Sequence, residues 1–159
     1  MKQLFYDRDK AVEYAIKYAT TRNPKYYNFD KIGGNCTNYA SQCLYAGLPI
    51  MNYSANGWYY NSISNRSPAW TDVNFFYDFL INNKSVGPYA TKVDISLAEV
   101  GDFIQLKNQT RWYHTLVICD LLENDILVCA NSIDSLLRPL STYYFKELRV
   151  VKILGGKSY

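Results

Sequence analysis

Two residues in this chain have the chemistry of a nucleophile and its base, Cys36 and His114. Cys36 follows Gly33-Gly34-Asn35 and precedes Thr37-Asn38-Tyr39-Ala40-Ser41-Gln42-Cys43. The glycines permit a tight turn, and Asn35 stands where a helix N-cap would, its side-chain oxygen available to a first-turn amide. Tyr39, Ala40, Cys43 and Leu44 share one face at helical spacing, and Gly47 with Pro49 supplies a stop. A sulfur in that first turn meets the positive end of the helix dipole, which favours thiolate over thiol. A thiolate beside a base can attack an acyl carbon.

His114 is the one histidine, inside a strand expected from Trp112 to Leu121. A polar turn at Glu123-Asn124-Asp125 leads to a second strand, Ile126 to about Ser132. A two-residue loop at Glu123-Asn124 sets Asn131 opposite Leu116, diagonal to His114 on the same face. Asn131 then fixes the imidazole tautomer while the other ring nitrogen meets the thiol, the three-member arrangement of covalent catalysis. A register shift of a residue or two makes Asp134 the alternative to Asn131. Trp58, Tyr60, Trp70 and Trp112 are large aromatics that either plug the core edge or line a substrate cleft.

These residues need a scaffold, and the chain reads as one domain over residues 1–159. Apolar residues make up 48% and charged ones 19%, a globular and ordered composition. Seventeen Lys and Arg against fourteen Asp and Glu, scattered singly, form no basic stripe for nucleic acid. Cys36, Cys43, Cys119 and Cys129 lack the short spacing of a zinc site, and one histidine cannot complete a mixed one, so neither metal nor cofactor is expected. Cys36 and Cys43 lie roughly 10 Å apart along one helix and cannot bridge. Free thiols fit a reducing compartment or a fold independent of disulfides. The first residues do not read as a secretory signal and no segment spans a bilayer, so a cytoplasmic address is expected if the chain is complete.

An amphipathic helix runs from an Asp7 cap to about Thr21, ended by Asn23-Pro24. An aromatic loop, Tyr26-Tyr27-Asn28-Phe29, enters the two glycines. After the Cys36 helix and a long irregular region, Thr71 is expected to cap a helix from Asp72 to about Asn82. Strands follow at Phe103–Leu106, Trp112–Leu121, Ile126–Ser132 and Arg149–Leu154. Helices first and an antiparallel sheet second is an α+β pattern.

Gly33 through Cys43, Gly57-Trp58-Tyr59-Tyr60, Gly101-Asp102 and Tyr113-His114-Thr115 together resemble the bacterial "putative amidase domain" family. That family belongs to the papain-like superfamily, related to cell-wall cysteine peptidases and cysteine/histidine-dependent amidohydrolase/peptidase domains. The resemblance covers nearly the whole chain. It implies a papain-like fold with the cysteine at a helix N-terminus packed on the antiparallel sheet. By position it implies Cys36 as nucleophile, His114 as base and Asn131 as third polar member. The family usually has aspartate where Asn35 stands and His-Thr where Asn131-Ser132 stand.

The expected reaction is acyl transfer to water from an amide or peptide bond, in bacterial cell-wall peptides by resemblance. The Cys36 amide and a side chain among Tyr26, Tyr27 and Asn35 would hold the oxyanion. The competing expectation is a silent peptide- or glycan-binding module whose cleft is lined by Trp58, Tyr60 and Trp112.

Overall fold

Asp7 starts the first helix, α1 (Arg8–Tyr18), by accepting the Lys10 amide at 3.1 Å. The structure, a computed structural model, describes residues 1–159. Strand β1 (Lys2–Leu4) precedes α1, and α2 (Cys36–Gly47) follows it. Next come β2 (Tyr60–Ser62), β3 (Asn65–Arg66), α3 (Pro68–Thr71) and α4 (Val73–Asn82). The second half holds β4 (Gly87–Val93), β5 (Phe103–Lys107), β6 (Trp112–Leu121), β7 (Ile126–Ala130), β8 (Ser135–Pro139) and β9 (Glu147–Ser158).

The long strands form one antiparallel sheet in the order β1-β9-β5-β6-β7-β8, with β4 on the other edge of β9. The protein is therefore α+β. Helices cover one face. Ala11, Ala15 and Ala19 let α1 come close to α2, and with Tyr39, Cys43, Leu44, Phe76 and Leu80 they pack on Phe103, Val117, Cys129 and Val151. The other face carries a smaller cluster built on Ile104, Leu106, Leu116, Ile118 and Val128. Cys119, Cys129 and Cys43 are buried free thiols.

Two close contacts tie α1 and α2 to the sheet. A Cβ at Gly47 would stand 2.5 Å from the Asp7 carbonyl oxygen and 2.6 Å from the Tyr6 ring, so the end of α2 admits only glycine there. Asp102, fully buried, accepts from Arg8 Nη1 at 2.7 Å, from the Glu99 amide at 2.8 Å and from the Ile153 amide at 3.0 Å. The Gly101-Asp102 motif thus fastens α1 to the start of β5 and to β9.

Several boundaries differ from the sequence expectations. Asp72, not Thr71, caps α4, its carboxylate accepting the Phe75 amide at 2.9 Å; Thr71 instead closes the short helix α3. The irregular region contains a small hairpin, β2 with β3. β1, β4 and β8 were not expected. β4 begins Gly-Pro, tolerable because Gly87-Pro88 lies where the strand starts.

Candidate active site around Cys36

The glycine turn forms as expected, with φ of +79° at Gly33 and +95° at Gly34, a conformation that glycine adopts without strain. It delivers Asn35 to the N-cap position and Cys36 to the first residue of α2. Asn35 does not cap the helix through its side chain. Its Oδ1 accepts instead from the Phe29 amide at 3.0 Å and from Asn38 Nδ2 at 2.9 Å, while its Nδ2 donates to Asn131 Oδ1 at 3.1 Å. The first backbone bond into the helix is Tyr39 N–H to the Asn35 carbonyl, which leaves the amides before it open at the helix start.

The sulfur of Cys36 lies among those amides. Thr37 Oγ1 stands 3.7 Å away, and the nearby backbone of Cys36, Thr37 and, on β6, Thr115 favours the thiolate. The Thr115 amide is free for this because Ile118 spends its N–H and carbonyl on the Gly101-Asp102 side of β6. By alternation Thr115 then faces the β7 side, and β7 has ended at Ala130. The thiol therefore fills an unpaired stretch of strand edge at the residue next to His114. Thr37 Oγ1 and Thr115 Oγ1 meet at 3.0 Å, and Gln105 Nε2 donates to Thr115 Oγ1 at 3.2 Å.

His114 has its strand parity on the other sheet face, with Leu116 and Ile118. Its ring stacks near Tyr113 at 6.0 Å and lies 6.2 Å from Tyr143. Burial, and secondarily the Arg138 charge, lowers its pKa to about 4. Part of Cys36 reaches solvent, yet the protein packed around the sulfur raises the thiol pKa above its ordinary 9.0; burial outweighs the amides that pull it down. No hydrogen bond joins sulfur and imidazole. Both shifts oppose moving the proton from sulfur to imidazole, which favours thiol and neutral imidazole at rest. Burial thus works against the thiolate expected from the helix dipole alone.

Asn131 takes a different place from the one its expected register implies. Leu121 pairs with Ile126 and Asp120 with Leu127, the expected alignment, but Ile118 pairs with Val128. A one-residue bulge at Cys119 shifts everything beyond it and turns Asn131 onto the helical face with Cys129. There Asn131 Nδ2 donates to the Ala19 carbonyl at 2.9 Å. Asn131 thus links α1, Asn35 and the start of α2 rather than bonding His114. The alternative, Asp134, is held by Arg22 at 2.7 Å. Ser132 Oγ accepts from the Asn35 amide at 3.0 Å and donates to Asp30.

The aromatics divide. Trp58 has no exposed surface; its ring packs 4.6 Å from Trp70 and its Nε1 donates to Ser41 Oγ at 3.0 Å. Tyr60 is nearly as buried, and its hydroxyl accepts the Tyr27 amide at 2.8 Å. Both serve the core, so neither presents a face to a substrate. Trp112 is half-buried, with Arg149 over its ring at 4.0 Å. Thr115 and Thr37 went unnoticed in sequence because two threonines on separate elements carry no spacing signal. Asn35 spends its Oδ1 on Phe29 and Asn38 and one Nδ2 proton on Asn131, which leaves a single Nδ2 proton for any oxyanion.

A buried asparagine turn thus opens α2 at the thiol, with the β6 edge at Thr115 close by. Residues 5–154 match the family described as "Putative amidase domain". The chain belongs to that family. It is also 38% identical over 141 residues to the uncharacterised protein YhbB of Bacillus subtilis (strain 168), covering 84% of this chain. The chain spans 43% of that relative's length. No solved structure matches it significantly. Membership places the chain, at a coarse level, with amide hydrolysis. No helix is long and apolar enough to cross a membrane.

Proposed function

We propose that this putative amidase domain is a papain-like cysteine hydrolase that cleaves an amide or peptide bond, with bacterial cell-wall peptides as its substrate class. The observation that carries the reading is the Cys36 sulfur, set among open first-turn amides of α2 and against the β6 edge beside His114.

In this reading substrate enters at the unpaired edge of β6, and displacement of water there strengthens the attraction between a thiolate and an imidazolium. His114 is the residue next to that edge, but its ring lies on the opposite face of the sheet with Tyr143, so it takes the thiol proton only once the end of β6 turns over as substrate binds. The Cys36 sulfur then bonds to the carbonyl carbon, and the developing oxyanion takes the Cys36 and Thr37 amides. His114 returns the proton to the nitrogen as the C–N bond breaks. Water, deprotonated by the same imidazole, cleaves the thioester and frees the acid. Asn131 acts as a positioning residue, holding Asn35 and so the pose of the helix start.

The test is hydrolysis of a capped peptide library, read by mass spectrometry. The wild type should release products; Cys36→Ala and His114→Ala, shown folded by circular dichroism, should release none above background. Full turnover by Cys36→Ala would refute the assignment.

A further inference from the structure

Arg149 of β9 is only 9% exposed and forms none of the protein's ion pairs. Its guanidinium lies 3.5 Å from the Tyr77 ring centroid and 4.0 Å from that of Trp112. Its Nε donates to Gln105 Oε1 at 2.9 Å, and its Nη2 is buried with no partner. Unpaired cations are costly inside a protein, and burying one without a bond partner calls for a reason.

We propose that Arg149, packed against Tyr77 and Trp112, is a subsite for a carboxylate borne by the substrate, two to three residues from the bond that Cys36 attacks; the inference rests on the hydrolase reading. The two rings pack closely against the guanidinium and restrict where it can move. What remains is its edge, a fork of N–H donors in the geometry of a carboxylate. The acids around it, Asp78 on α4 and Glu147 on β9, are both exposed and reach it only through space. Glu147 is instead 3.8 Å from Lys107. The free edge therefore has no competitor within the chain.

Placement links this cation to the thiol. Arg149 pairs with Gln105, and Gln105 with Thr115, in one row across three strands. Side-chain bonds follow the same row, from Arg149 to Gln105, to Thr115 and to Thr37 beside Cys36. Neighbouring strands are about 4.8 Å apart, so the row spans roughly 10 Å, the length of two to three extended residues. Gln105 and Thr115 are fully buried, so the row sets only the separation, and the ligand runs outside it, past half-buried Tyr77 and Trp112.

The experiment uses capped tetra-alanine amides with one Glu scanned through the four positions, each against its Gln counterpart. Binding is titrated on Cys36→Ala and cleavage on the wild type. At one position Glu should bind about tenfold or more tightly than Gln, the worth of a charge-assisted bond, with the preference shrinking as salt rises. Adding Arg149→Gln to the Cys36→Ala chain should bring the ratio to one, and Arg149→Lys should restore part of it. If the Gln variant does not fold, the salt dependence and the Lys variant decide. No Glu preference at any position, absence of binding included, overturns the subsite, as does a preference that survives the Arg149 substitutions. Equal cleavage of Glu and Gln peptides removes the subsite and leaves the hydrolase standing. A Glu preference in binding without any cleavage does the reverse.

Discussion

Replacing His114 with Gln should make the folded protein more tolerant of acid. Burial lowers the imidazole pKa from its ordinary 6.5 to about 4. Above pH 6.5 the ring is neutral folded and unfolded and contributes nothing to pH dependence. Below 6.5 the unfolded chain takes up a proton that the folded chain refuses until about pH 4, so stability falls through that window. The full loss is about 3 kcal/mol. Glutamine lacks the proton site, so the variant should lose about 3 kcal/mol less than wild type between pH 7 and pH 4. The buried Asp102 carboxyl, raised by desolvation, and Asp30, Glu99, Asp94 and Asp125, which their hydrogen-bond partners lower, titrate alike in both proteins and cancel in the difference. The assay is urea unfolding of both proteins at half-unit steps of pH. Parallel curves would refute the reasoning, and a wild type that loses less than the variant would mean an imidazolium already paired with a Cys36 thiolate.

Other outcomes follow from the same geometry. Iodoacetamide should label Cys36 at pH 7 more slowly than free glutathione, with the rate climbing steadily with pH and levelling off later than that of glutathione, because burial raises the thiol; fast labelling below pH 8 would contradict it. Asn131→Ala strips the buried bonds to Asn35 and Ala19 and should cost about 1–3 kcal/mol in urea unfolding; an unchanged midpoint would mean those bonds are not made. Trp58→Phe should lower the melting temperature through the lost Ser41 bond yet leave KM unchanged, because Trp58 is fully buried; a raised KM would return it to the cleft.

What was legible in the sequence was local. The Gly33-Gly34 turn, the first residue of α2 and the start of β6 each rest on neighbours in the chain, and each is where its spacing predicts. The bulge at Cys119 was not legible: nothing in Ile118-Cys119-Asp120 marks an extra residue, and that single residue moves Asn131 to the opposite face. Asn35 was read as a cap because asparagine commonly caps; the fold gives its oxygen two other donors brought by the aromatic loop and by the next turn of α2. Burial of Trp58 depends on Trp70 and Ser41 from separate elements, which no window of sequence contains. The pKa of Cys36 likewise turned on packing rather than on the helix dipole.

The central claim is that Cys36 forms a covalent bond with the acyl group it cleaves. An activated acyl substrate, mixed with the protein and quenched in acid within seconds, should leave an adduct of the acyl mass on the tryptic peptide containing Cys36, absent in Cys36→Ala. Hydrolysis that proceeds with no adduct on that peptide, and at an equal rate in Cys36→Ala, would contradict it.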